Sequence, residues 1–224
     1  MKILILYNVA TTLKKGDGLD MVCEQEIQII VPLVVTLLRS RGYEVGTLET
    51  DYLLWENMKA RKGLFDLVFN LAEAFGGANN NEVLVPMMLE ALEIPFTGAT
   101  AHNMALTLDK AQTKLVALAN GVPTPAYQIF RDGTELLDQT LKFPLIIKPV
   151  REEASIGIRH DSVVMDFDSL QRKVRDVLRL YRQPAIAESF VVGREVSVGI
   201  IGNGKNLHVL PPLEFLFIRS ANSL

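Results

Sequence analysis

A lysine at the end of a short apolar run is the first residue of this sequence that could do chemistry. The run is LII at 145–147; Lys148 follows it directly, and Pro149 ends the pattern of a buried strand. Beyond the proline lies a segment of acidic and small residues, EEAS at 152–155, closed by Gly157. Small residues let backbone N–H groups approach a ligand and the lysine adds a point charge, so this stretch predicts a phosphate site. A hairpin with one exposed lysine is the simpler alternative.

Alternating strands and helices would position this stretch. Strands are predicted at 2–7, 43–48, 65–70 and 94–96, and helices at 24–41 (with a kink or a later start at Pro32), 52–60 and 85–92. This alternation predicts βαβ units around a parallel sheet, and ligands of such sheets bind at the carboxyl ends of the strands. The first strand is not followed by GxGxxG, which argues against a dinucleotide site.

The second half of the chain has a different pattern, and we expect a boundary near 98–104. Helices are predicted at 109–120 and 167–181, and strands at 127–130, 145–148, directly after Gly157, at 185–191, 195–201, 207–210 and 213–218. The basic face of the 167–181 helix, Arg172, Lys173, Arg175 and Arg179, is expected to be solvated. The segment GIIGNGKN at 199–206 nearly matches a P-loop. Its strand-like flanks and Asn203-Gly204 favour a hairpin instead, because a P-loop joins a strand to a helix.

Composition excludes several classes of function. The 224 residues carry a net charge of −3, so we expect no binding to nucleic acid or to an anionic membrane surface. The single cysteine, Cys23, rules out a disulfide within the chain and fits a cytoplasmic location. The three histidines are far apart in sequence, and with the single cysteine they give no metal-ligand spacing. We also expect no signal peptide and no membrane span.

Several motifs occur in an order that resembles the ATP-grasp superfamily, and most closely D-alanine–D-alanine ligases and ligase-like proteins. The matching segments are FNLAEAFGG (69–77), EVLVPMMLEALEIPFTG (82–98), LTLDKAQTK (106–114), GVPTPAY (121–127), FPLIIKPVREEASIGI (143–158), AIAESFVVGREVSVGIIG (185–202) and LPPLEF (210–215). Together they cover nearly the whole chain, and their separations make the signal specific.

The resemblance implies an α/β fold class. A Rossmann-like (pre-ATP-grasp) domain with a parallel sheet would occupy 1–100, followed by an α+β ATP-grasp domain with its small lobe at 101–192 and the start of its large lobe at 193–224. Members of the family continue past the point that matches Leu224, and that further part holds their metal ligands. We therefore expect a ligase truncated at its C-terminus, with no ligase activity as given.

The resemblance also implies roles for individual residues. Lys110 and Lys148 would hold the phosphates of ATP from two sides. Ser155, Ile156 and Gly157 would belong to a flexible loop that closes over the phosphates, with Ser155 also catalytic. Many members have a glycine and serines where this chain has Glu153, Ala154 and Ser155, a change that weakens or stiffens the lid.

Further roles follow from the same resemblance. Glu188, Ser189, Phe190 and Val191 would form the adenine-binding hinge, and Glu195 would accept hydrogen bonds from the ribose hydroxyls. The alternatives are a solvated Glu188 and a structural ion pair between Glu195 and Arg194. An N-terminal glutamate, Glu24 or Glu26, would help to place the ammonium group of the first substrate.

The implied reaction is ATP-dependent joining of a carboxylate to an amine through an acyl phosphate, with Mg²⁺ bridging the phosphates. The product would be D-alanyl-D-alanine for peptidoglycan, with ATP and a small amino acid as the partners. A homodimer is compatible with this interpretation, with the helix face at 85–92 as one surface. Two alternatives stay open: a non-catalytic ATP-binding or interaction module, and an ATP-grasp ligase for a different acid and amine.

Overall fold

The computed structural model of the chain describes residues 1–10, 13, 15–21, 26–75 and 81–216. The chain divides into two compact units, Met1–Ser189 and Phe190–Leu224. The predicted domain limits at residues 100 and 192 stay predictions. In the described ranges, no helix is long and apolar enough to cross a membrane.

The first unit begins with a parallel sheet. Strands β1 (Lys2–Tyr7), β2 (Glu44–Glu49) and β3 (Leu67–Leu71) lie in the order β2-β1-β3. The helices that accompany these strands are α1 (Ile27–Ser40), α2 (Leu54–Ala60) and α3 (Leu84–Ala91). The apolar run of β1 is buried, with Ile3 to Leu6 at most 2% exposed, as expected for a central strand.

Two predictions about this sheet need correction. The strand predicted at 94–96 is only an isolated parallel bridge between Phe96 and Val68. The helix predicted from residue 24 begins at Ile27 and continues through Pro32. Proline leaves one backbone hydrogen bond unmade at this point, and the buried side chain of Val31 helps to hold the helix against the sheet.

An antiparallel sheet completes the first unit. Strands β4 (Tyr127–Phe130), β5 (Leu145–Pro149), β6 (Val163–Val164) and β7 (Ala185–Ser189) lie in the order β4-β7-β5-β6. Helix α6 (Phe167–Tyr181) packs on the sheet through Leu170, Val174 and Val177, as its apolar stripe predicts. The strand predicted directly after Gly157 starts later, because a 3-10 turn at His160–Ser162 precedes β6.

Sequence reasoning missed a helix and misplaced a lysine. Helix α4 (Ala101–Leu108) lies where only a boundary was expected, and the Thr100 hydroxyl caps it by accepting a hydrogen bond from the Asn103 N–H. Lys173, predicted to be solvated, is buried, and its Nζ lies 2.5 Å from Asp161 Oδ1. The carboxylate of Asp161 lets this lysine cover apolar surface with its stem.

The second unit contains two antiparallel pairs of exposed strands. Strand β8 (Glu195–Ser197) pairs with β11 (Leu213–Phe215), and β9 (Ile200–Ile201) pairs with β10 (His208–Val209). The single strand predicted at 195–201 is therefore wrong: its two halves take different partners. The predicted hairpin is confirmed, because a 3-10 turn at Gly204–Asn206 joins β9 to β10, and the P-loop interpretation is excluded.

Candidate functional site

A cavity of about 390 Å³ lies in the first unit where helix α5 (Lys110–Ala119) begins. One wall is the segment between Glu152 and Ile158, here called the 152–158 loop. The residues that line the cavity are Thr107, Lys110, Lys148, Glu152, Glu153, Ala154, Ser155, Ile156 and Ile158. The two predicted phosphate lysines and the predicted lid thus share one cavity.

Lys110 is fixed by the start of its helix. Asp109 caps α5, its Oδ1 accepting from the N–H groups of Ala111 at 3.0 Å and Gln112 at 3.1 Å. The Lys110 N–H donates to the Val150 carbonyl at 3.1 Å, and its Nζ donates to the carbonyl of Glu152. Burial, and after it the charge of Lys148, lowers the pKa of Lys110. The negative charge of an anion bound between the two lysines would oppose both effects.

Lys148 is held by a carboxylate on the neighbouring strand. Its Nζ lies 2.7 Å from Glu188 Oε2, and the other oxygen, Oε1, lies 3.0 Å from the Nζ of Lys114. Burial would raise the pKa of Glu188, but the two lysines outweigh it and hold the pKa below its usual value. The simpler alternative is therefore wrong in part: β5 and β6 do pair, but the lysine is not exposed. A solvated Glu188 is wrong as well.

Lys114 is a residue that sequence reasoning missed. Its Nζ donates to Thr124 Oγ1 at 2.6 Å and to the Pro125 carbonyl at 2.9 Å, and it lies 5.0 Å from the centre of the Tyr127 ring. A signal existed in LTLDKAQTK, because a separation of four residues places Lys110 and Lys114 on one helix face.

The 152–158 loop consists of two tight turns. The Ile156 N–H donates to the Glu153 carbonyl at 2.8 Å, and the Ile158 N–H donates to the Ser155 carbonyl at 3.0 Å. The φ angles of Ala154 (47°) and Ser155 (61°) are in the left-handed region that side chains disfavour. The loop is therefore strained at Ala154 and Ser155, two of the three positions where the resemblance led us to expect a glycine and serines.

Gly157 has a spatial reason to be glycine. Its φ is 79°, and an added β-carbon would lie 2.6 Å from Pro149 Cγ and 3.0 Å from Tyr181 Cζ. Since both neighbours are rigid rings, a side chain here would displace the loop. The absence of a side chain at Gly157 therefore lets the backbone approach Pro149 and Tyr181 closely.

The 152–158 loop carries Glu152 and Glu153 on one side, here called its acidic side, and further carboxylates lie near them. Glu152 is buried, and its Oε1 lies 2.5 Å from both Lys15 Nζ and Gln183 Nε2. Burial raises the pKa of Glu152, against the opposing effect of Lys15. Burial also raises the pKa of the half-buried Glu82 to about 8, with the charges of Glu153 and Glu73 adding to the effect.

The remaining predicted residues are placed as follows. Ser189 ends β7, and its N–H donates to the Ala126 carbonyl at 2.9 Å, so that donor is not free for a base. Phe190, Val191 and Glu195 are exposed residues of the second unit. Arg194 lies 3.5 Å from Glu214, so the alternative of a pair with Glu195 is not what the structure shows.

Only one of the two N-terminal glutamate candidates lies within the described residues. Glu24 lies outside the described residues, and Glu26 is exposed directly before α1. A second missed group contains Asp17, Asp20 and Arg159, which meet across 139 to 142 positions of sequence. No local pattern in the sequence signals that contact.

Comparison with known proteins places these features in a family context. The family model described as "D-ala D-ala ligase C-terminus" matches residues 116–218. Uncharacterized protein y4sG of Sinorhizobium fredii is 39% identical over 194 residues, which are 83% of this chain and 55% of that protein. A D-alanine–D-alanine ligase of Bordetella avium is 32% identical over 181 residues, 80% of this chain and 54% of the relative. The chain spans about half the length of the curated relatives it matches.

A solved structure extends the likeness to the whole chain. The D-alanine–D-alanine ligase from Bacillus anthracis, crystallised in complex with ATP, superposes with a TM-score of 0.71 at 22% identity. The match covers 100% of this chain and 67% of that one. At this identity the likeness concerns the fold, and it confirms the predicted α/β class.

Proposed function

We propose that the cavity beside α5 binds the phosphates of ATP. The chain is a D-alanine–D-alanine ligase-like member of the ATP-grasp superfamily. The observation that carries the proposal is that Lys110 and Lys148 line one cavity together with the 152–158 loop. The whole protein would then be an ATP-dependent carboxylate–amine ligase. This chain spans about half the length of its relatives, so the activity is proposed for the whole protein.

The residues of the cavity fit a polyphosphate. A volume of about 390 Å³ is within the usual range for small-molecule sites. Each lysine now donates to a protein oxygen, Lys110 to the Glu152 carbonyl and Lys148 to the Glu188 carboxylate. A phosphate oxygen would be a stronger acceptor than the carbonyl, because both donor and acceptor would then be charged.

ATP would supply the phosphoryl group that activates the substrate carboxylate. The part of this chain would be to hold the phosphates with the lysines and to exclude water with the loop. Glu188 would hold the ammonium group of Lys148 in place, so we assign Glu188 a positioning role beside the predicted hinge role.

The acidic side of the loop supports an amine as the second substrate. Burial, and after it repulsion from the carboxylates of Glu153 and Glu73, makes Glu82 resist ionisation. A substrate ammonium group would reduce that repulsion. D-alanine fits this requirement and D-alanyl-D-alanine for peptidoglycan is the product we propose; another amino acid, or another acid, would satisfy the same charges.

Mg²⁺ enters the proposal with the nucleotide. Within the described ranges, no group of three His, Cys, Asp or Glu side chains could hold a metal ion. The described residues thus offer no metal site of their own. A homodimer and a cytoplasmic location complete the proposal.

Titration calorimetry with ATP, with and without Mg²⁺, tests the proposed site. We expect micromolar binding by the wild type and at least tenfold weaker binding by Lys110→Ala and by Lys148→Ala, because each removes a charge-assisted contact. Lys62→Ala is the control, since Lys62 is exposed and pairs with Glu93 at 3.4 Å.

Binding that is unchanged in both cavity variants would contradict the proposal, as would the absence of binding by the folded wild type. In the whole protein, ATP binding without D-alanine-dependent release of phosphate would favour the non-catalytic module. Phosphate release with a different amino acid would favour the ligase for another acid and amine.

A further inference from the structure

A short segment near the N-terminus contacts both ends of the 152–158 loop. This segment, residues 15–20, is here called the strap. At the start of the loop, Lys15 Nζ lies 2.5 Å from Glu152 Oε1. Just after the loop, Arg159 Nη2 lies 3.0 Å from Asp17 Oδ1 and 2.5 Å from Asp20 Oδ1. Three residues of the strap thus make contacts on both sides of the loop that lines the proposed phosphate site.

Asp20 is the centre of this contact. Its side chain is 1% exposed, and its Oδ2 accepts from the Tyr181 hydroxyl at 2.8 Å and from the Asp17 N–H at 3.0 Å. With Arg159 on Oδ1, the carboxylate has three donors. A buried carboxylate with three donors is held in one orientation, because any rotation would leave a charge without a partner.

Tyr181 carries the contact into the loop itself. Its hydroxyl is fixed by Asp20, and its ring lies beside Gly157, where a β-carbon would come within 3.0 Å of Cζ. The strap backbone also reaches the end of α6, where the Gly16 N–H donates to the Leu180 carbonyl at 2.9 Å. Asp20 therefore acts on the loop by two routes, through Arg159 and through Tyr181.

The pair of Lys15 and Glu152 adds a third attachment. The side chain of Glu152 is 2% exposed and that of Lys15 is 10% exposed, so solvent screens this pair little. With its carboxylate turned to Lys15, Glu152 presents its backbone carbonyl to Lys110 in the cavity. Lys15 thus gives a counter-charge to a carboxylate beside the place where phosphates would bind.

We infer that the strap holds the 152–158 loop in a preorganised conformation, and that Asp20 is a positioning residue for nucleotide binding. The inference rests on the proposed function only in its second half, since the attachment of the loop stands without ATP. A preorganised loop loses less conformational freedom when a ligand binds, so its attachment contributes to affinity. The strain at the left-handed residues Ala154 and Ser155 favours relaxation of the loop, and the attachment opposes it.

The test combines hydrogen exchange of the loop with ATP titration. In Asp20→Asn we expect faster exchange of the amides at 152–159, unchanged exchange in β1, and about tenfold weaker ATP binding. Lys15→Met should show the same pattern to a smaller extent. Asp176→Asn is the matched control, since it removes a carboxylate from an exposed pair with Arg179 and should leave both readouts unchanged.

The two readouts separate this inference from the proposed function. If the wild type does not bind ATP, the proposed function fails while loop exchange still tests the strap. Loop exchange and ATP affinity that both stay within twofold of wild type in Asp20→Asn would overturn the inference. So would faster exchange throughout the first unit, because it would mean a merely structural role. If Asp20→Asn does not fold, Arg159→Lys provides the same readouts, since it keeps the charge but shortens the contact.

Discussion

Neutralising Glu188 should destabilise the first unit far more than neutralising a surface glutamate. In Glu188→Gln the side chain keeps its shape, but Lys148 and Lys114 lose their shared counter-charge. The side chains of Glu188 and Lys114 are 9% and 8% exposed, so the range for a broken buried pair applies, roughly 3–5 kcal/mol. Lys148 is 22% exposed and Lys114 keeps Thr124 and the Pro125 carbonyl, so we expect about 3 kcal/mol.

Urea unfolding followed by far-UV circular dichroism measures this loss. In a thermal melt of a unit of this size, a loss of about 3 kcal/mol corresponds to a decrease in Tm of roughly 6–12 °C. The control is Glu44→Gln. Glu44 lies 3.7 Å from Lys2 on the exposed surface, and its loss should stay below about 1 kcal/mol. A loss below about 1 kcal/mol in Glu188→Gln would refute the view that the two lysines depend on this carboxylate.

The pH dependence of the same variant gives a second check. The pKa of Glu188 in the folded state lies below its usual 4.5, so its ion pairs stabilise the protein above that pH. As the pH falls through the folded-state pKa, the carboxylate is protonated and this stabilisation disappears. The difference between wild type and Glu188→Gln should therefore be full at pH 7 and shrink in acid.

Two further predictions concern the loop and its acidic neighbours. Ala154→Gly should raise the free energy of unfolding, measured in urea, by about 0.5–1 kcal/mol, because glycine adopts the left-handed backbone without strain. The control Ala117→Gly, inside α5, should lower the free energy of unfolding by about as much. If both variants are less stable than wild type, Ala154 is not strained. Glu82→Gln should be more stable than wild type above pH 8 and as stable as wild type below pH 4.5. The pKa of Glu82 is raised from 4.5 to about 8 in the folded state, so wild type loses stability as the pH rises between these two values. Unfolding curves that differ by the same amount at both pH values would show that Glu82 is not perturbed.

The sequence predicted the parts of the fold that local pattern determines. The run of apolar residues in β1 and the stripe of α6 each reflect one buried surface, so their positions could be read from hydrophobic spacing. Helix α4 was not predicted because only Ala101 of its residues is buried, so its sequence has no clear apolar stripe. The stretch at 195–201 misled because alternation indicates a strand but not its partners.

The candidate site divides in the same way. Lys148 was predicted from its place at a strand end beside a loop of small residues, and Lys110 from the resemblance to ATP-grasp ligases; the structure brings both to one cavity. Glu188 as the partner of Lys148, and Asp20 as the partner of Tyr181, could not be predicted, because these pairs are 40 and 161 positions apart. Contacts of that kind depend on the packing of elements, which no local spacing encodes.

The strand order of the second sheet has a consequence for synthesis on the ribosome. Strand β7 lies between β4 and β5, yet it is the last of the four to be translated. Until residue 189 has emerged, β4 and β5 cannot pair through β7 and their edges stay open to other chains. Because β7 also brings Glu188, Lys148 meets its carboxylate only in that final step. A pause in translation before β7 would therefore prolong the interval in which the nascent chain is most prone to aggregate.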